Sequence, residues 1–233
     1  MKNLMLSILA LSALLVSSCS DGILTIDSPD GEIMVNITAD PEVESQGGSG
    51  ILAYSVEYKG REIIGRSELG LEFRDLPDLG PEMKVLGTET RQVNDTWERV
   101  WGKNKKVIDC YNELLIQLAG LTDGLRLDLL VRVYDDGVAI RYHIPEQENI
   151  GEFELVADKT TFRFNGNHRV WAAQYGPFRS HQETEFREMM LDDPLLKERI
   201  GLPFLMEIGE KAWVAITEAN LTDWAGMYLI RTE

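Results

Sequence analysis

Short apolar runs with a period of two, each closed by turn residues, restrict the fold of this chain more than any other feature. Ile33, Val35 and Ile37 alternate with polar neighbours, so they share one face of a strand. Leu52, Tyr54, Val56 and Tyr58 do the same, and Lys59-Gly60 then turns the chain back into Glu62-Ile63-Ile64. Leu69-Gly70-Leu71-Glu72-Phe73 starts a further strand, broken by residues 76–81. Residues 111–118 and 125–134 flank a Thr122-Asp123-Gly124 turn. Asp135-Asp136-Gly137 leads into residues 138–144, which alternate again. In both Asp-Gly turns the glycine is expected to supply a positive φ. Residues 203–208, 212–216 and 227–231 also have strand character. Strands this short and this evenly punctuated predict an all-β, antiparallel sandwich or barrel.

Two segments depart from the pattern. Residues 45–50 are a Gly/Ser loop without periodicity. Residues 183–199 are charged and Met/Leu-rich, with Asp192-Asp193-Pro194 as the N-cap and first position of a short helix predicted over residues 195–200. This insertion between strands is a place where a site can be built.

The N-terminus reads as an export signal over residues 1–18, with Lys2 ahead of an apolar run, residues 4–16, too short to span a membrane. Leu15-Val16-Ser17-Ser18-Cys19 has the spacing of a bacterial lipoprotein cleavage site. Cys19 is then the acylated first residue of a mature chain covering residues 19–233, anchored to a membrane by two or more acyl chains. Ordinary secretion is the alternative. The expected location is periplasmic or outer-membrane, and an acylated Cys19 leaves Cys110 no partner for an intrachain disulfide. The net charge of −16 becomes −17 once Lys2, the signal's one charged residue, is removed. A surface this acidic repels phosphates and excludes nucleic acid as a partner, while remaining compatible with sugars and divalent cations.

Chemistry-bearing motifs are sparse. His143, His168 and His181 share no metal-binding spacing, and no Cys-x-x-Cys, Gly-x-Ser-x-Gly or phosphate-cradling glycine loop occurs. Carboxylates are what remains: Glu183, Glu185 and Glu188 in the insertion, then Glu218 and Asp223. Such groups ligate calcium through oxygen or act as acid and base on a glycosidic bond, though most in an acidic chain are simply solvated. Trp171, Tyr175, Phe178 and Trp224 form a candidate sugar-stacking wall, against the ordinary core role of aromatics.

The block Asp95-Thr96-Trp97, Val100-Trp101-Gly102, then Tyr111-Asn112-Glu113-Leu114 resembles the N-terminal domain of glycoside hydrolase family 97. So do Ser28-Pro29-Asp30-Gly31, Leu69-Gly70-Leu71-Glu72, residues 136–142, Asn165-Gly166-Asn167-His168, and residues 216–221, all in order. The resemblance implies an antiparallel β-super-sandwich preceding a catalytic (β/α)8 barrel that carries the acid and its partner carboxylate. It implies hydrolysis of α-glucosides or α-galactosides with an active-site calcium. It also implies one calcium-ligating glutamate on the sandwich, followed three residues on by an aromatic. Glu183 with Phe186 fits that offset, with Glu185 as the alternative.

The chain stops at Glu233, ahead of any barrel, so it is expected to be a catalytically silent fragment binding calcium weakly or not at all. Trp97 and Trp101 are expected to pack within the sandwich or against the barrel. A stand-alone carbohydrate-binding lipoprotein using the aromatics from Trp171 to Phe178 is the alternative reading.

Overall fold

The computed structural model describes residues 22–39, 50–179, 181–197, 199–209, 212–222 and 224–232. Cys19 and Asp223 lie outside them. The described residues form strands and loops without a helix, and every strand pairing between them is antiparallel. The expected all-β antiparallel fold is therefore what the chain adopts. It divides into two compact units, residues 1–163 and 164–233.

In the first unit, β1 (Ile23–Asp27), β2 (Ile33–Thr38), β3 (Ala53–Tyr58) and β4 (Arg61–Glu68) form a sequential four-stranded sheet. A second meander comprises β6 (Met83–Glu98), β7 (Lys106–Gly120), β8 (Arg126–Tyr134) and β9 (Gly137–His143). The short β5 (Leu71–Phe73) pairs with β10 (Leu155–Asp158). Alternation decides which face is buried. Leu127, Leu129, Val131 and Val133 of β8 are each 0% exposed and share one core with Val35, Ile37, Tyr54, Leu114 and Ile116. Two sheets thus bury their apolar faces on each other, the defining arrangement of a sandwich. Each fully buried aliphatic contributes at most ~1.5–3 kcal/mol by removing apolar area from water.

Turn chemistry locks the register. Lys59 and Gly60, at φ 53° and 70°, join Tyr58 to its partner Arg61 in a two-residue hairpin. At Ser28-Pro29-Asp30-Gly31, the Ser28 hydroxyl donates to the Asp30 carboxylate (2.6 Å) and accepts from the Ile33 amide (2.9 Å). The Asp30 carboxylate also accepts from the Glu32 amide (2.9 Å). These bonds, led by the Ser28 hydroxyl, hold the Asp30 carboxyl below its ordinary range. Gly80 (φ 123°) lies on Gly70 so closely that a Cβ on either would collide with backbone atoms of Leu69 or Leu79. This close approach accounts for the glycine in Leu69-Gly70-Leu71-Glu72. One turn differs from expectation: Gly124 has the positive φ (69°), but Gly137 does not, because it already pairs with Tyr134 as the first residue of β9.

The second unit is one four-stranded sheet in the order β12 (Arg187–Met190), β11 (Arg169–Ala172), β13 (Phe204–Ile208) and β14 (Ala212–Ile216). Val170, Ala172, Phe204, Met206, Ile208 and Ile216 bury its inner face. The helix expected over residues 195–200 is absent among the described residues. The Asp193 carboxylate instead accepts from the Leu195 amide (2.8 Å), and its carbonyl accepts from the Leu196 amide (2.9 Å). That closes a turn at the Asp-Pro step rather than starting a helix. Part of the same insertion is strand β12, and residues 227–231 reduce to a single bridge between Leu229 and Ile200.

Candidate functional site

The residues singled out by sequence fall into three places. The first is the block that begins at Trp97. Tyr111, Asn112, Glu113 and Leu114 are all buried in β7. Arg91, Glu113 and Arg132 stand opposite one another on β6, β7 and β8, so they form one rung of the sheet. The Glu113 carboxylate binds Arg91 Nε at 2.5 Å and Arg132 Nε at 2.6 Å, and Arg132 lies over the Tyr111 ring at 4.6 Å. Burial alone would raise the Glu113 pKa, but hydrogen bonds and charge from Arg91 and Arg132 outweigh it and hold it below the usual range. This is a structural ion triad. Trp97 and Trp101, by contrast, are 48% and 86% exposed, so of the two expected roles, packing within the sandwich or against the barrel, the first does not hold.

The second place is the loop joining β11 to β12, which carries Glu183. Its neighbour Gln182 sits in the left-handed region (φ 54°) and is held at both ends of its amide. Tyr228 Oη donates to Gln182 Oε1 (2.7 Å), and Gln182 Nε2 donates to the Phe178 carbonyl (3.1 Å). Tyr228 in turn meets Tyr175 and Phe178 edge-to-face at 6.0 Å and 5.8 Å. Tyr175 packs against Gly201 where any side chain would clash. The root of the loop is thus braced, while Glu183, Glu185 and Phe186 project into solvent.

Beside the brace lies a cavity of about 240 Å³ lined by Tyr175, Gln182, Gly201, Glu218, Met227 and Tyr228. Glu218 is turned into structure, its carboxylate accepting from the Met227 amide (3.0 Å). The cavity is smaller than the roughly 300–1,000 Å³ of ordinary ligand pockets. Among the described residues no three His, Cys, Asp or Glu side chains converge on a point. A calcium shell needs about six to eight oxygens, so these residues do not build one alone; Glu183 offers a single accessible carboxylate.

The third place is the outer face of the second sheet, and here the expected aromatic wall splits. Tyr175 and Phe178 join Tyr228 in the brace, whereas Trp171 packs on Trp213, with ring centroids 5.0 Å apart and planes at 34°. Glu188 belongs to this face and pairs with Arg169 (3.5 Å). Sequence reasoning missed Trp213 and Tyr228. The alternation of Trp213 with Val214 and Ile216 could have placed the indole on the outward face, but nothing local marks Tyr228 as a brace. His143 pairs with Asp128 (2.9 Å) and His168 with the Asn165 carbonyl (2.9 Å), both ordinary surface contacts.

Comparison with known proteins places these features in context. A family model described as "Glycosyl-hydrolase 97 N-terminal" matches residues 26–233. A retaining alpha-galactosidase of Bacteroides thetaiotaomicron is 24% identical over 220 residues, 90% of this chain and 30% of the relative. A probable retaining alpha-galactosidase of Streptomyces bingchenggensis is 29% identical over 140 residues, 60% of this chain and 21% of the relative. A variant of a Glycoside Hydrolase Family 97 enzyme from Pseudoalteromonas sp. strain K8 superposes with a TM-score of 0.79 at 25% identity, covering 89% of this chain and 30% of that one. Glycoside Hydrolase Family 97 enzymes from the same strain, one a variant in complex with panose and one in complex with acarbose, superpose with TM-scores of 0.76 and 0.75, each at 25% identity. The chain therefore spans about 30% of the length of the Bacteroides relative and of the Pseudoalteromonas enzyme.

Proposed function

Because the chain belongs to glycoside hydrolase family 97, through its N-terminal domain, we propose that it is the β portion of an exported, calcium-dependent α-glycosidase. In this reading the acid and its partner carboxylate come from a catalytic barrel, and this chain supplies Glu183 to the metal. The observation that carries it is the braced loop: Gln182 is fixed by Tyr228 and Phe178, so the next residue leaves the fold from a set position with its carboxylate free. Calcium, when bound, would polarise a substrate oxygen as a Lewis acid. The substrate class is an α-galactoside or α-glucoside, in keeping with the α-galactosidase relatives and the panose and acarbose complexes.

The exposed end of the β6–β7 hairpin is the surface that meets the barrel. Val100 is 99% exposed, Trp101 86% and Ile108 72%, apolar side chains standing among Arg99, Lys103, Lys105 and Lys106. Anchoring through lipid on Cys19 would hold the assembly at a membrane surface.

The test joins this domain to a family barrel and assays a p-nitrophenyl α-galactoside and α-glucoside in calcium and in chelator. Hydrolysis should require calcium. Glu183→Gln should raise the half-saturating calcium by on the order of tenfold or more, with unchanged melting temperature; Glu185→Gln should not. Calcium dependence unaffected by Glu183→Gln would remove that residue from the metal site.

A further inference from the structure

We propose that the outer face of the second sheet carries a separate oligosaccharide-binding platform, built on Trp171 and Trp213. The proposal rests on the α-glycosidase reading for the class of ligand, but its geometry is independent of the metal loop. Trp171 is on β11 and Trp213 on β14, two strands separated by β13. Strand spacing puts their backbones roughly 9–10 Å apart, yet the ring centroids are 5.0 Å apart. Both indoles therefore lean over β13 from opposite sides and rest on each other at a tilt, so that Trp171 backs one face of Trp213 and fixes the direction of the other. Trp213 is 58% exposed despite that contact, so the surface is open.

Polar groups border the platform on the same face. Register places Glu207 between Arg169 and Trp213, and Glu188 beside Trp171. Arg169 Nε lies 3.5 Å from the Glu188 carboxylate and 3.8 Å from that of Glu207. Two carboxylates against one guanidinium leave the patch with one net negative charge, on a chain of net charge −16. That repels phosphates, anionic lipid and acidic protein surfaces. A neutral polyhydroxylated ring fits what remains: its C–H face on the open side of Trp213, its hydroxyls donating to Glu188 or Glu207 and accepting from Arg169.

The experiment is titration of the purified chain with maltoheptaose, and separately with raffinose, followed by calorimetry and tryptophan fluorescence. Saturable binding of at least one is expected. Trp213→Ala should weaken it on the order of tenfold, and Glu207→Gln less, while Trp101→Ala in the other unit should leave it unchanged. Both Trp213 and Trp101 are largely exposed, so loss of fold does not confuse the comparison. Absence of binding by a folded chain would overturn the platform, as would binding unchanged in both Trp213→Ala and Trp171→Ala. Because calcium and Glu183 play no part in this readout, the platform and the metal reading fail separately.

Discussion

β6 and β7 pair continuously from Met83 opposite Gly120 to Glu98 opposite Lys106, yet the two halves of this ladder live in different surroundings. At the inner half, β7 is also paired with β8 over residues 112–119, and Leu114, Ile116 and Leu118 are buried. At the outer half, residues 106–111 have β6 alone as a partner strand, and Ile108 is 72% exposed. The outer end also gathers Arg99, Lys103, Lys105 and Lys106 against Glu98, a basic tip on an acidic protein. Residues that signal one family are therefore held for two reasons: Tyr111 to Leu114 for packing, Trp97 and Trp101 for what they offer outward.

The largest effect that would break this contrast is at Ile116, which is fully buried. Ile116→Ala should cost about 3 kcal/mol in urea unfolding, whereas Ile108→Ala at the outer end should cost less than about 0.5 kcal/mol. Equal costs would mean that the outer half is as well packed as the inner.

Glu113→Ala should follow, at about 2 kcal/mol. Truncating a partner of a fully buried ion pair costs about 3–5 kcal/mol, but Arg91 and Arg132 are 57% and 34% exposed and can rehydrate. The pH dependence fixes the sign. A carboxyl whose folded pKa is lowered contributes stability above its unfolded value, near 4.5 for Glu113, and loses it as pH falls through the lower folded value. Wild-type stability should thus drop more steeply below about pH 4.5 than that of Glu113→Gln; parallel acid limbs would refute the triad.

Arg91→Ala, removing the more exposed arm of the triad, should shift the urea midpoint less than Glu113→Ala does, because an exposed ion pair is worth little. Smallest of all is Trp101→Ala, with a change in stability within about 0.5 kcal/mol, read by thermal unfolding. A larger loss would show that the tip packs on its own chain.

Much of the fold was legible because alternation reports a strand with one buried face. β2, β3, β8 and β9 fall where period two puts them, and the Lys59-Gly60 turn is explicit in its residues. β6 was not legible as a strand: most of its positions are exposed, so no alternation is written into it. β12 was hidden for the same reason, since Arg187, Glu188 and Met190 all face solvent. The helix expectation failed because an Asp-Pro step starts helices and closes turns with the same chemistry. At the site, the resemblance could point to the loop bearing Glu183, but the brace from Tyr228 lies 46 residues from Gln182. Contacts at such separation leave no local signature in a single sequence.

The pairing of β5 with β10 bears on how the chain comes together in time. Phe73 meets Leu155 across 82 positions, while each neighbour in the β6–β9 meander follows directly in sequence. Nearby closures cost less chain entropy and form sooner. The two sequential sheets should therefore form first, and residues 155–163 should join β5 and the end of β4 afterwards. That late clasp includes the Thr161 hydroxyl on the Glu68 amide (2.7 Å) and the Ser67 hydroxyl on the Arg163 amide (2.9 Å). During synthesis both sheets emerge before those residues, so their apolar faces can meet while the β5–β10 edge still stands open, and the last segment of the unit to leave the ribosome closes it.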